Sequence, residues 1–344
     1  MLAVAVLLVA CGGGDGTSPA ARTLFPVGHD DAAALAGTGS TFVEPLLRAW
    51  MERYKSVAPG VSFSYQATGS EAAIDGLKAG DGDFFASDVP LSEVDEATLG
   101  GSEEIMQLPW AAGAIVMAYN VPGVDQLRLS PDVTSGIFSG RITRWDDASI
   151  RSDNPDARLP GQSIQVVYRS DGSGTTKVFT SYLQAAAGWD YGSDFDVRFP
   201  RGQGARGSDG VVAAVKRSTG TIGYLGLAHA RQAGLGVALL GNRAGKFVAP
   251  TPEAMNAALA GGWTKPFGSA VNLYFNPESP GAYTLTTVTY LLFRKKLADP
   301  AKVTALRHFA AWALADGQQL TEQLGYAPLA RQFRIPALAA AEQD

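Results

Sequence analysis

The chain has 344 residues, of which 46% are apolar and 18% charged, with 28 Lys and Arg against 33 Asp and Glu for a net charge of -5. This length suits two lobes rather than one core, and the composition excludes a disordered chain. The acidic balance argues against a nucleic-acid binder, which would carry a basic face, although it leaves room for a small anion held by local donors.

The chain opens on MLAVAVLLVAC, an apolar run whose Leu8-Val9-Ala10-Cys11 resembles the lipobox of bacterial lipoproteins, in which the cysteine is lipidated. A basic segment before the run is missing, so a start upstream of Met1 is expected. GGGDGTSPAART then reads as a flexible tether, and residues 1–31 are assigned to signal remnant and tether. Cys11 is the only cysteine, so no intramolecular disulfide or cysteine metal cluster can form. Three scattered histidines, His29, His229 and His308, argue against a zinc site, and no metal or cofactor is expected. After the first dozen residues no apolar stretch reaches the length of a membrane span.

From Ala32 onward short strands alternate with amphipathic helices, the pattern of an α/β architecture. AALAGTGS reads as a strand entering a glycine turn. The following helix places Phe42, Leu46, Leu47, Trp50 and Tyr54 on one face. VSFSYQ is a strand, ATGS a turn and EAAIDGLKAG a helix ending on Gly80. DFFASDVPLS gives a short buried strand and a loop with Asp88, and AAGAIVMAYNVPGV a longer strand crossing between lobes. LRLSPDVTSGIFSGRITRWDDASI is read as a short helix and turn, with Trp145 in a core and Asp146 and Asp147 starting a helix. IQVVYR is a strand. TTKVFTSYLQAAAG is a helix with Val178, Phe179, Tyr182 and Leu183 inward, and SDGVVAAVKRSTGTIGYL a capped helix and strand. YTLTTVTYLLF is a strand, and VTALRHFAAWALADGQQLTEQLG is expected as one long helix. No repeat of fixed period is present.

The stretch RSDGSGTTKVFT, residues 169–180, admits four readings. A P-loop fails because the lysine of DGSGTTK follows two threonines with no hydroxyl adjoining it downstream. A nucleophile elbow fails because Asp171 and Thr175 stand where glycines are needed around Ser173. An anion cradle and a simple capped helix both remain. The turns at Ser40-Thr41, Ser70 and Ser173-Gly174-Thr175 each place hydroxyls before a helix, where unpaired N–H groups favour an anion but where Ser and Thr are also ordinary caps.

Seven segments in order, GTGSTFVEPLLRAW, YQATGSEAAIDGL, FFASDVPLS, YNVPGV, GRITRWDDASI, YRSDGSGTTKVFTSYL and GSDGVVAAVKRSTGTIGYL, resemble the motifs of the PstS family. Its members are the phosphate-binding subunits of bacterial high-affinity phosphate ABC transporters. The resemblance implies an α/β, two-lobed periplasmic-binding-protein (Venus-flytrap) fold with phosphate enclosed between lobes. It places Thr41, Phe42, Ser70, Asp88, Arg169, Ser173, Gly174 and Thr175 on the phosphate, and pairs Asp171 with Arg169. Lobe 1 is expected over 32–115 plus 278–344 and lobe 2 over 116–277, with crossings near 115 and 277. Asp88 is the expected discriminator: a carboxylate repels an anion unless the anion brings a proton, which phosphate keeps at neutral pH and sulfate does not.

Two positions depart from the family pattern. Glu71 sets a negative charge at a helix start beside Ser70, and Tyr168 stands where a second basic residue can occur. The implied protein is a non-enzymatic, monomeric, lipid-anchored extracytoplasmic receptor for inorganic phosphate that delivers it to the permease of an ABC importer. The alternatives are another oxyanion (sulfate, molybdate or an organic phosphate) in the same fold, or a phosphate-ester hydrolase, which the lack of a metal cluster or Ser–His pattern disfavours.

Overall fold

The computed structural model describes residues 28–262 and 279–342. Cys11, the tether and the return crossing expected near 277 lie outside these residues. The chain first runs β1 (Ala32–Gly39), α1 (Glu44–Tyr54), β2 (Gly60–Ala67), α2 (Ser70–Ala79), β3 (Phe84–Ser87), α3 (Glu93–Thr98) and β4 (Ile105–Asn120). It continues through β5 (Arg128–Leu129), α4 (Pro131–Phe138), α5 (Ala148–Asp153), β6 (Gln165–Arg169), α6 (Gly174–Ala187), β7 (Gln203–Ala205) and α7 (Gly207–Arg217). Next come β8 (Thr221–Gly226), α8 (Leu227–Ala233), β9 (Gly236–Val237), β10 (Leu239–Gly241), β11 (Phe247–Val248) and α9 (Pro252–Gly262). The last elements are β12 (Thr286–Arg294), α10 (Pro300–Leu314), β13 (Tyr326–Ala327) and α11 (Arg331–Glu342).

The main sheet has the order β2-β1-β3-β12-β4-β8-β6-β7, with β13 and β9 also on β4. β4 is its spine. Its residues Ile105–Ala114 pair antiparallel with β12, and Ile115–Asn120 pair antiparallel with β8, so one buried strand changes neighbours at a single step. On either side lies a parallel trio: β2, β1 and β3 in the first half, and β8, β6 and β7 in the second. β3 and β8 are buried throughout, which explains their continuous apolar or small-residue runs in place of alternation.

Each half has its own aromatic core. In the first, Trp50 of α1 meets Trp110 of β4 edge-on at 5.4 Å, and Tyr54 packs on Phe309 and Trp312 of α10. In the second, Phe138, Phe179, Phe199 and Tyr224 form one cluster. Trp145 is fully buried as expected, its indole donating to the Gly220 carbonyl at 3.0 Å. Asp147 caps α5 by accepting from the Ser149 amide, whereas Asp146 stays outside the helix and pairs with Arg144 and Arg151.

The expected long C-terminal helix is shorter. α10 stops at Leu314, because Ala315 leaves helical geometry at φ −104, ψ −96 and two 3-10 turns follow, Asp316–Leu320 and Glu322–Leu324. Two side chains hold the turned backbone. Trp50 donates to the Gly317 carbonyl at 2.7 Å, and the buried Gln318 amide donates to the Ala313 and Trp110 carbonyls while accepting from the Leu329 amide. The apolar spacing runs on through Leu320 and Leu324, so periodicity alone overruns the break. Gln318→Ala leaves three buried backbone groups without partners and is expected to destabilise the protein by about 2 kcal/mol in urea unfolding. A change under about 0.5 kcal/mol would remove Gln318 from this role.

Candidate functional site

The carboxyl ends of the parallel strands are level. Gly39 of β1 stands opposite Ala67 of β2 and Ala86 of β3, and Arg169 of β6 opposite Ala205 of β7. Open α/β sheets bind ligands beyond these ends. Here the residues just past them are Ser40-Thr41, Gly69-Ser70, Asp88 and Gly207-Ser208, with Arg169 itself ending β6. Helices α1, α2, α6 and α7 all begin from these turns, so the positive ends of four helices are gathered at one place.

Close packing between the turns requires glycine at two points. Gly69 has φ +106, and a Cβ there would lie 2.4 Å from the Gly172 carbonyl oxygen. At Gly174 a Cβ would lie 2.4 Å from Ser70 Oγ and 2.9 Å from Asp88 Cβ. The second and third turns therefore touch across the two halves, and the Glu71 amide donates to the Gly172 carbonyl at 3.3 Å.

Asp88 is the centre of the network. It is 2% exposed. Ser40 donates to its Oδ1, and Thr175 of the opposite half donates to its Oδ2 at 3.0 Å. Its own amide donates to Ser70 Oγ at 3.1 Å, and its carbonyl accepts from Thr287 at 3.0 Å. Burial pushes its pKa up to about 6, against the lowering effect of the Ser40 and Thr175 bonds and of the Arg169 charge.

Arg169, 3% exposed, sits on the second half. Its Nε and Nη2 grip Asp171 at 2.7 and 2.5 Å. This bidentate pair fixes the guanidinium plane and leaves further N–H groups for another acceptor. Burial opposes ionisation of Asp171, yet the Arg169 bond and charge, helped by the Gly207 amide at 2.9 Å, hold its pKa below the ordinary value. Tyr224 braces the same strand, its hydroxyl accepting from the Arg169 amide at 3.1 Å and lying 2.8 Å from Thr176 Oγ1.

The other expected residues fall as follows. Thr41 Oγ1 lies 2.8 Å from Ser208 Oγ across the halves and accepts from the Ser208 amide at 3.3 Å. Phe42 sends its ring away from the network, edge-on to Tyr326 at 5.9 Å and against Gly113 and Gly226, and its amide donates to Ser40 Oγ at 3.0 Å. Ser173 is the N-cap of α6, its Oγ accepting from the Thr176 amide at 3.2 Å. Ser70 does not cap its own helix; its Oγ serves Asp88 instead.

The two departures from the family pattern differ in setting, Tyr168 being half-buried against the core. Glu71 is exposed, and partial burial together with Asp75, Asp194 and Asp196 raises its pKa. Tyr168 stacks on Phe199 at 4.9 Å. Neither enters the Asp88 network.

Two participants, Ser208 and Tyr224, escape the sequence reading, and a third, Ser40, is marked there with its turn but not placed on the phosphate. Ser40 adjoins Thr41 in a turn already marked by its hydroxyls. Ser208 follows a glycine before an apolar helix, the same local signature as the other three turns. The helix there, expected to be self-capped, has Arg206 at its N-cap with no side-chain cap, and Asp171 accepts from Gly207 instead.

Residues 22–316 match the family model of the PBP superfamily domain. The chain is 36% identical over 305 residues to the phosphate-binding protein PstS of Xylella fastidiosa strain 9a5c, covering 86% of this chain and 81% of that protein. It is 35% identical to the phosphate-binding protein PstS of Pasteurella multocida, covering 87% of each. The fold also matches a high-affinity periplasmic phosphate-binding protein, PfluDING, solved with phosphate bound, at TM-score 0.71 and 23% identity, covering 89% of this chain and 93% of that one. With its two-lobed periplasmic-binding-protein fold, the chain belongs to the PBP superfamily and, within it, to the PstS phosphate-binding proteins.

Proposed function

We propose that this protein is a high-affinity receptor for inorganic phosphate that delivers its ligand to an ABC importer. The observation that carries the reading is the buried Asp88 carboxylate, held among neutral donors from both halves and near one arginine. The phosphate ligands are Thr41, Phe42, Ser70, Asp88, Arg169, Ser173, Gly174 and Thr175, with Asp171 orienting Arg169. Hydroxyls, amides and one guanidinium satisfy a dehydrated anion without surrounding it with countercharge. For phosphate to enter, the Ser40–Asp88–Thr175 bonds loosen as the halves part, and the donors turn onto the ligand on reclosure.

The lobes are residues 32–115 plus 278–344 and residues 116–277. The change of partner along β4 between Ala114 and Ile115 supports the first boundary. Lipidation at Cys11 tethers the monomer to the membrane on the extracytoplasmic side. No helix among the described residues is long and apolar enough to cross a membrane. The protein is a receptor and no enzyme, a reading supported by relatives that are named phosphate-binding proteins.

Selectivity against sulfate follows from the protonation of Asp88. Above about pH 6 the carboxylate accepts the proton that phosphate carries, and sulfate has none to offer. Below that pH Asp88 takes up a proton and becomes a donor, which either anion accepts. Calorimetric titration is therefore expected to give one-to-one phosphate binding with no sulfate response at about pH 8, and a narrowing gap at about pH 5. Asp88→Asn is expected to narrow the gap at both. Sulfate bound as well as phosphate at about pH 8 would overturn the ligand assignment while leaving the fold intact.

Arg169→Ala removes the one cationic group of the set. Phosphate affinity is expected to fall by more than ~2 kcal/mol, read by the same titration. An affinity within error of the wild type would take Arg169 out of the site.

A further inference from the structure

We infer that Ser208 is a positioning residue: it latches the two halves together through Thr41 and turns the Thr41 hydroxyl proton toward the anion. The inference rests on the phosphate reading above and adds a residue and a coupling to it.

The geometry is specific. A threonine hydroxyl oxygen has two acceptor sites and one proton. Ser208 approaches Thr41 Oγ1 with two potential donors, its amide at 3.3 Å and its hydroxyl at 2.8 Å. When both donate, the acceptor capacity of Thr41 Oγ1 is filled and its only remaining function is to donate. When Thr41 instead donates to Ser208, its proton is spent inside the protein. An anion in the cleft selects the first arrangement, because only then does Thr41 offer a proton to it. The chain of bonds then runs from Ser208 to Thr41 to the ligand, each polarised by the next.

Closure enters because Thr41 and Ser208 belong to opposite halves, 167 residues apart in sequence. Both are buried, at 5% and 2% exposure, so the contact forms without competing water. Ser208 is itself well anchored. Gly207 before it, at φ +68, donates to Asp171, the carboxylate that grips Arg169. The start of α7 is thus tied to the arginine on its own half and reaches across with its next residue. Opening the cleft breaks the Ser208–Thr41 contact and frees Thr41 from its enforced orientation in the same movement. The latch therefore slows ligand release while leaving capture by the open form alone.

The test compares the full chain with Ser208→Ala by following release of radiolabelled phosphate into excess unlabelled phosphate, together with the association rate. Release is expected to be about three- to tenfold faster, with association within about twofold of the wild type, the loss of one hydrogen bond. In the Thr41→Val background, Ser208→Ala is expected to add nothing, since the two act through one contact. Unchanged release, or effects that add in the double variant, would overturn the latch. A merely structural Ser208 would show instead as lowered thermal stability with additive losses. If the wild type bound no phosphate at all, the ligand reading would fall, and small-angle scattering in phosphate-free buffer would still judge the latch. A larger radius of gyration for Ser208→Ala supports it, and equal radii contradict it.

Discussion

Asp88 is a carboxylate shut away from water at the junction of two halves, and its two oxygens are claimed by Ser40 on one side and Thr175 on the other. The rest of the site is arranged around that burden. Raising the pKa of a buried carboxylate from 3.8 to about 6 costs about 3 kcal/mol at neutral pH. The sign is fixed by linkage: the folded state holds the proton more tightly than the unfolded one, so the contribution to stability is present below about pH 4 and is lost as pH rises through about 6. A fold selected for stability alone would not keep such a group. A receptor that must tell a protonated tetrahedral anion from an unprotonated one has use for an acceptor in that position.

The sheet explains how the donors reach it. Because the carboxyl ends of β1, β2 and β3 are in register, their turns emerge together, and β6 and β7 bring theirs from the other half. Four helices then start at one place, and their amides supply partial positive charge that requires no counterion and no long side chain. Arg169 is the exception, and Asp171 tempers it by taking one edge of the guanidinium. β4 joins the halves by changing partners at Ala114 and Ile115, so one strand belongs to both.

Much of this is legible in the sequence, for local reasons. The strand, small polar turn and helix repeat at GTGSTF, ATGSEA and SDGSGTT, because tight turns need glycine and helix starts need oxygen side chains or free amides. The buried strands and the inward faces of α1 and α6 follow from composition and spacing. What is not legible depends on contacts far apart in the chain. Nothing near GSDG indicates that Ser208 meets Thr41, or that Asp171 rather than a local residue caps α7. Ser70 reads as a cap and instead serves Asp88, since only the folded sheet sets β3 beside α2. The overrun of α10 has the same origin: Gln318 and Trp50 hold a turn that apolar periodicity cannot register.

The most direct measurement of the central claim is a high-resolution crystal structure of the protein with phosphate. The account predicts phosphate enclosed among the four helix starts, with one oxygen at hydrogen-bonding distance from an Asp88 carboxylate oxygen and others on Arg169 and Thr41. Phosphate bound elsewhere, or bound in the cleft with Asp88 still bonded only to Ser40 and Thr175, would contradict it.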